Sequence, residues 1–305
     1  MQTTSLSKLI KTVLAFATVG AALTLTGGAH AQEGGTLAKI KASGAITYGY
    51  RESSFGFSYL DANLKPIGYS IDICNRILEA IKTELKMPNV EVKYQNVTSA
   101  NRIPLVQNGT VDIECGSTTN LVERQKLVAF SPDIFRYNVR TLVKADSGIK
   151  SIADLQGKTV VTTAGTTSFR LLKEADKGRN LEVINLAGKD HSDSFLLVEN
   201  GRAQAFILDD ILLAGQIANA RNPKDFIIVG ESLRTENQSL MFRRDDPQFK
   251  ALVDRVVSGM MKSGEMEKLY QKWFMSPIAP KNININYPLN AETRDAFANP
   301  SSKGI

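Results

Sequence analysis

Short runs of β-branched and apolar residues alternate with amphipathic helical stretches along most of this 305-residue chain. The runs predict strands at residues 45–50, 90–94, 111–115, 159–163, 181–186, 205–208 and 226–230, and helices at 71–85, 102–108, 168–175, 194–200 and 210–220. Near the C-terminus, Asp246 and Pro247 begin another helix, and Gly264 separates it from a second one that ends at Phe274. This alternation predicts an α/β fold with open, mostly parallel sheets flanked by helices.

A faint internal repeat relates two parts of this pattern. The segment that begins at Leu105 resembles the one that begins at Leu197, because in each a helix ends at Asn-Gly and a buried strand follows. At the same offset from these leucines stand Ser117 and Asp209, each just beyond the predicted end of its strand. Open α/β sheets bind ligands at such strand ends. The repeat therefore predicts two related lobes that face one another.

The N-terminus predicts export. Lys8 and Lys11 precede an uncharged apolar run at residues 13–26, and Ala29-His30-Ala31 supplies the small-x-small pattern of a signal peptidase site. We expect residues 1–31 to be a cleaved signal peptide and the protein to reach the periplasm without a lipid anchor, since no Cys stands at the cleavage point. Removal of Lys8 and Lys11 lowers the formal charge from +6 to +4, and this excess is spread along the mature chain, which does not indicate nucleic-acid binding and suits an anionic ligand.

Cysteine and histidine are scarce. Cys74 lies in a predicted helix and Cys115 in a predicted strand, and we expect two separate buried thiols, with a single disulfide as the alternative. His30 falls in the predicted signal peptide, which leaves His191 as the one histidine of the mature chain. The sequence therefore predicts no metal site and no cofactor.

Catalytic motifs are missing from the sequence, which contains no Gly-x-Ser-x-Gly elbow, no Cys–His pair of recognisable spacing and no Walker-type phosphate loop. Polar residues instead recur at three predicted loop-to-helix junctions, at residues 98–102, 116–120 and 165–168. Free N–H groups and hydroxyls at a helix start can bind a carboxylate, although ordinary N-caps are the alternative. Arg102 lies in a first turn, where the helix dipole disfavours a cation, and a bidentate carboxylate partner would explain it.

Three segments, residues 49–54, 98–120 and 189–194, closely resemble the periplasmic glutamate/aspartate-binding proteins of ABC importers. Weaker similarity extends from Gly35 to about Leu289. The resemblance implies a non-catalytic, monomeric protein that passes its ligand to ABC transporter membrane subunits. It also implies two lobes joined by two crossing strands, with residues 32–143 and 240–305 in lobe 1 and residues 144–239 in lobe 2.

The same resemblance implies roles for a set of polar residues. It places Arg102 on the α-carboxylate with the help of Ser117, Thr119 and Thr167, and it places Asp209 on the α-ammonium. It places Arg51, Ser99 and His191 around the acidic side chain of the ligand, and we expect Thr166 to be a ligand-binding residue as well. A buried zwitterion needs one fixed cation and one fixed anion, and a second ligand carboxylate needs a further cation.

Several alternatives remain open from the sequence. Arg51 could form a surface ion pair with Glu52, and His191 could be a loop histidine that is satisfied locally. The ligand could be glutamine or histidine rather than an acidic amino acid. The same fold could also serve a periplasmic dehydratase of prearomatic acids or a sensor module.

Overall fold

The computed structural model describes residues 34–305, so the predicted signal peptide lies outside the described residues. The strands are β1 (Ala45–Tyr50), β2 (Ser53–Ser54), β3 (Ser58–Leu60), β4 (Pro66–Ile67), β5 (Glu91–Asn96), β6 (Ile113–Thr119), β7 (Val128–Phe130), β8 (Phe135–Lys144), β9 (Thr159–Thr163), β10 (Ile184–Gly188), β11 (Ala205–Asp209) and β12 (Phe226–Arg243). The α-helices are α1 (Gly35–Ser43), α2 (Tyr69–Leu85), α3 (Arg102–Gln107), α4 (Val122–Gln125), α5 (Thr167–Arg179), α6 (His191–Glu199), α7 (Asp210–Asn219), α8 (Pro247–Lys262), α9 (Glu265–Phe274) and α10 (Ala291–Ala298).

One nine-stranded sheet organises the described chain, with the strand order β10-β9-β11-β8-β12-β6-β1-β5 and with β7 paired to β12. At each end of this order, three strands run parallel to one another: β10, β9 and β11 at one end, and β6, β1 and β5 at the other. Between the two groups, β8 and β12 pair antiparallel. The predicted α/β fold is confirmed, and the two parallel groups place two sets of carboxyl strand ends around the middle of the sheet.

The helices follow from amphipathic spacing and end signals. In α2, Ile71, Cys74, Leu78 and Ile81 recur at helical spacing and are all buried. The carboxylate of Asp246 accepts a hydrogen bond of 3.1 Å from the N–H of Phe249 and so caps α8, as predicted. The predicted interruption at Gly264 and the end of α9 at Phe274 are also confirmed.

Three strands, β6, β8 and β12, differ from the prediction. The sequence predicts that residues 116–120 open a helix, yet β6 continues to Thr119, because its backbone still pairs with β12 up to the Thr119–Gln238 partners. Ser117 therefore lies inside the strand rather than beyond it. The sequence also predicted only residues 226–230 of β12, which runs to Arg243, and it did not predict β8. The middle of β12, residues 231–237, is polar and lacks the apolar alternation that marks a strand.

The expectation of two separate thiols is wrong. Cys74 and Cys115 form a disulfide that joins α2 to β6, and their Cα atoms lie 6.2 Å apart. The packing of α2 against the sheet brings two cysteines that are 41 positions apart within bonding distance. The sequence around each cysteine does not indicate this packing. The bond anchors β6 immediately before Gly116.

Both ends of the described chain pack on the same part of the fold. The N–H of Thr36, in α1, donates to the carboxylate of Asp246, the N-cap of α8, and the N–H of Ile305 donates to the carbonyl of Asn120, which directly follows β6. The predicted lobe boundaries near residues 143 and 240 fall within β8 and β12. The division into two lobes stays a prediction.

Candidate functional site

Almost every polar residue singled out from the sequence stands at or just after the carboxyl end of a parallel strand. Arg51 follows β1, and His191 lies three residues after β10. Ser99 and Arg102 lie after β5, Thr166 and Thr167 after β9, Ser117 and Thr119 in the last part of β6, and Asp209 at the end of β11. Open α/β sheets bind ligands at such ends.

The guanidinium of Arg51 is buried, with 1% of the residue exposed, and therefore forms no surface ion pair with Glu52. Its backbone N–H donates to Ser58 Oγ at 2.9 Å, which fixes the start of the side chain. Its Nη1 atom is buried and has no hydrogen-bond partner among the described residues. Burial, together with the nearby charge of Arg102, lowers the pKa of Arg51 to about 10.

His191 is the first residue of α6 and is buried rather than exposed in a loop. Asp190 caps the helix by accepting a 3.0 Å hydrogen bond from the N–H of Asp193. The imidazole lies between Arg51 Nη2, 3.4 Å from Nε2, and Thr163 Oγ1, 3.0 Å from Nδ1. Burial and then Arg51 lower the pKa of His191 well below its ordinary value, so the ring is neutral near pH 7.

A second buried guanidinium, that of Arg102, lies in the first turn of α3 as predicted. Its Nη1 donates to the carbonyl of Ser117 at 3.0 Å, whereas its buried Nε has no partner among the described residues. Ser117 Oγ lies 2.9 Å from Ser54 Oγ. Glu114, which is fully buried, places Oε1 at 3.9 Å from Arg102 Nη1 and partly balances its charge.

The hydroxyls at the helix starts divide into two kinds. Thr98 and Asn101 bond to each other, since Asn101 Oδ1 accepts from the N–H of Thr98 at 2.7 Å and Thr98 Oγ1 accepts from the N–H of Asn101. Thr166 Oγ1 likewise donates to the carbonyl of Thr163 at 2.7 Å. Ser99 Oγ, in contrast, is buried and has no partner in residues 34–305.

Two carboxylates form the acidic side of the site. Asp209 is buried at the end of β11, and in the described chain no other side chain hydrogen-bonds to it. Burial, then the charges of Glu236 and Asp210, raise the pKa of Asp209 well above its usual range. Glu236 lies on β12 and accepts hydrogen bonds from Thr167 Oγ1 at 2.8 Å and from Thr119 Oγ1 at 2.9 Å.

Sequence reasoning missed Glu114 and Glu236, because an acidic residue in a strand is usually on its exposed side. Glu114 stands in the run Val111–Cys115, where a charge among apolar residues was an available signal. Glu236 lies in the polar stretch of β12 that was not predicted as a strand, so no comparable signal marked it.

The two parallel groups approach each other closely around these residues. Arg124 Nη2 donates to the carbonyl of Gly165 at 3.2 Å, although Arg124 follows β6 and Gly165 follows β9. A Cβ atom on Gly165 would lie 2.6 Å from the Cα of Ala100 and from the carbonyl oxygen of Ser99, and its φ is +78°. Glycine is therefore required at this approach.

In residues 34–305, no three His, Cys, Asp or Glu side chains are grouped as metal ligands would be. No helix in the same range has both the length and the apolar composition that a bilayer span requires.

Comparison with known proteins gives consistent matches. The family model "Bacterial extracellular solute-binding proteins, family 3" matches residues 46–276. An L-glutamate/L-aspartate-binding protein of Pseudomonas aeruginosa is 49% identical over 270 residues, which cover 88% of this chain and 89% of the relative. A glutamate/aspartate import solute-binding protein of Escherichia coli K12 is 48% identical over 272 residues, or 89% of this chain and 90% of the relative.

Solved structures also match, over about three quarters of the chain. An ancestral arginine-binding protein bound to arginine shares 28% identity and a TM-score of 0.66, covering 76% of this chain and 98% of that one. The substrate-binding protein of an amino acid ABC transporter shares 27% identity and a TM-score of 0.67, covering 76% of this chain and 99% of that one.

Proposed function

Because this chain belongs to family 3 of the bacterial extracellular solute-binding proteins, we propose that it captures L-glutamate or L-aspartate and delivers it to an ABC transporter. The resemblance that the sequence indicated is confirmed, and the relatives at 48–49% identity are solute-binding proteins rather than enzymes. The names of both relatives give glutamate and aspartate as their ligands.

The observation that supports an acidic ligand most directly is the pair of buried guanidinium groups with unpartnered nitrogen atoms, Nη1 of Arg51 and Nε of Arg102. Buried charges are stable only when they are paired and hydrogen-bonded. Planar carboxylates match guanidinium groups in charge and geometry. A ligand with two carboxylates would complete both groups, whereas a neutral side chain would leave Arg51 without an anion.

The ligand's two ends are assigned by the charges around them. Its α-carboxylate lies on Arg102, near Ser117 and the first turn of α5, where backbone N–H groups lack intrahelical partners. Its α-ammonium lies against Asp209, and its side-chain carboxylate lies among Arg51, Ser99 and His191. Thr166 contributes to the shape of the loop before α5, because its hydroxyl is bonded to Thr163.

Capture requires two lobes that close on the ligand. Residues 32–143 and 240–305 form one lobe and residues 144–239 the other, with β8 and β12 as the crossing strands. Closure excludes water and strengthens each ion pair. The mature protein works in the periplasm as a monomer, after removal of residues 1–31, and the membrane subunits of the transporter receive the ligand.

The test is thermal unfolding of ligand-depleted protein with added L-glutamate, L-aspartate, L-glutamine or L-histidine. A ligand that binds only the native state stabilises it by about 2.7 kcal/mol at 100 times its Kd, which raises the melting temperature. We expect clear increases with L-glutamate or L-aspartate at millimolar concentration. A clear increase with L-glutamine or L-histidine, and none with either acid, would overturn the proposal.

A further inference from the structure

Glu236 holds a central position that the ligand assignments above do not use. It is fully buried on β12, opposite Tyr137 of β8 in the pair of strands that runs between the two parallel groups. Its Oε1 accepts from Arg234 Nε at 2.9 Å. Its Oε2 accepts from two threonine hydroxyls on opposite sides of the site. Thr119 lies in β6, which belongs to one parallel group, and Thr167 begins α5, the helix that follows β9 of the other group.

The number of available protons fixes the direction of these hydrogen bonds. A carboxylate can only accept, and each hydroxyl has one proton to donate. Thr119 and Thr167 therefore donate their only hydroxyl protons to Glu236. Tyr137 OH, 2.8 Å from Thr119 Oγ1, donates its own proton to that oxygen or to Glu236. Toward the ligand, both threonine hydroxyls can offer only lone pairs.

This direction suits one end of an amino acid and not the other. A ligand carboxylate has no proton to donate, so it gains nothing from hydroxyls that only accept. An α-ammonium carries three donors and a positive charge. The charge of Glu236 also acts on Asp209. After burial, it is the largest cause of the raised pKa of the Asp209 carboxyl. A cation beside both carboxylates would relieve their mutual repulsion.

Resting on the proposed function, we propose that Glu236 is a positioning residue that makes this part of the site selective for a ligand ammonium group. It turns Thr119 and Thr167 into acceptors, and it adds negative charge beside Asp209 that its ion pair with the partly exposed Arg234 offsets only in part. The hydroxyls of Thr119 and Thr167 then serve the ammonium rather than the α-carboxylate, to which the sequence resemblance assigned them, and the α-carboxylate depends on Arg102 and on backbone N–H groups at the start of α5.

The experiment compares L-glutamate with (S)-2-hydroxyglutarate, which keeps both carboxylates and replaces the ammonium with a hydroxyl. Calorimetric titration, with displacement for the weak ligand, is carried out on the wild type and on Glu236→Gln. We expect Glu236→Gln to weaken the binding of L-glutamate by about 10- to 100-fold and to change the affinity for (S)-2-hydroxyglutarate by less than about 3-fold. Glu231→Gln is the matched control, since Glu231 lies on the same strand but is exposed and paired with Arg179, and both affinities should stay unchanged.

Equal losses for the two ligands would show that Glu236 only maintains the shape of the site, and no loss for L-glutamate would show that it has no role there. Either result overturns the inference. If Glu236→Gln does not fold, Thr167→Val gives the same comparison, because an ammonium loses more than a hydroxyl when an acceptor is removed. If the wild type binds a different amino acid, the proposed function fails, and the inference is then tested with that amino acid and its hydroxy acid.

Discussion

Nη2 of Arg51 lies 3.4 Å from Nε2 of His191, although 140 positions separate the two residues in the sequence. Arginine can only donate hydrogen bonds, so Nε2 of the neutral imidazole accepts and Nδ1 donates to Thr163 Oγ1 at 3.0 Å. His191 therefore orients the guanidinium of Arg51. The contact joins the end of β1 to the start of α6, and hence the two parallel groups of the sheet.

The first prediction concerns recognition of the ligand's side chain. Arg51→Met should weaken L-glutamate by about 30-fold to several-thousand-fold, or roughly 2–5 kcal/mol, because the variant leaves a buried carboxylate without its cation. L-Glutamine has no such charge and should change little. Titration of both ligands checks this, with Arg76→Met as control, since Arg76 is half exposed and pairs with Glu265 away from the site. Equal losses of affinity for both ligands would mean that Arg51 does not recognise the side chain of the ligand.

Sequence reasoning succeeded where one local pattern determines the structure. β1 and β9 begin and end as predicted, and Arg102 stands at the first position of α3, because apolar runs and helix-start signals are properties of short segments. It failed where distant segments determine the structure. Pairing with β12 keeps Thr119 in a strand, the disulfide depends on how α2 packs, and Glu236 is placed by contacts with two threonines 117 and 69 positions away.

His191 gives a prediction about pH. Its pKa in the folded protein lies well below the ordinary 6.5, because of burial, Arg51 and Arg102. Between that lowered pKa and about 6.5, the unfolded chain binds a proton that the folded chain does not, so this group removes up to about 1.4 kcal/mol of stability per pH unit as the pH falls. Urea unfolding of ligand-free protein should show that the free energy of unfolding falls less between pH 7 and pH 5 in His191→Gln than in the wild type. Parallel stability curves would contradict this.

The two proposed anchors of the ligand's α-carboxylate and α-ammonium, Arg102 and Asp209, give a third prediction. Arg102→Ala and Asp209→Ala should each weaken every amino acid ligand by about 30-fold or more, since each removes one half of a buried charge pair. Each folded variant is titrated with L-glutamate and L-aspartate. Near-native affinity in either variant would show that the assignment of that residue is wrong.

The disulfide gives a prediction about stability. A cross-link between residues 41 positions apart restricts the unfolded chain and is expected to contribute about 2–4 kcal/mol. The Cys74→Ala/Cys115→Ala double variant should lose that amount in urea unfolding, while the wild type should lose a similar amount when it is reduced. Intact mass before and after alkylation under denaturing conditions identifies the bond. A wild type that alkylates at two cysteines without reductant would contradict the pairing.

The central claim is that two buried arginines make this a binding protein for an acidic amino acid. The most direct measurement is calorimetric titration of ligand-depleted wild type with L-glutamate, L-aspartate, L-glutamine and L-histidine in the same buffer. We expect L-glutamate or L-aspartate to bind at least about 100-fold more tightly than L-glutamine, a difference of about 2.7 kcal/mol. L-Glutamine or L-histidine binding as tightly as both acids, or more tightly, would contradict the claim.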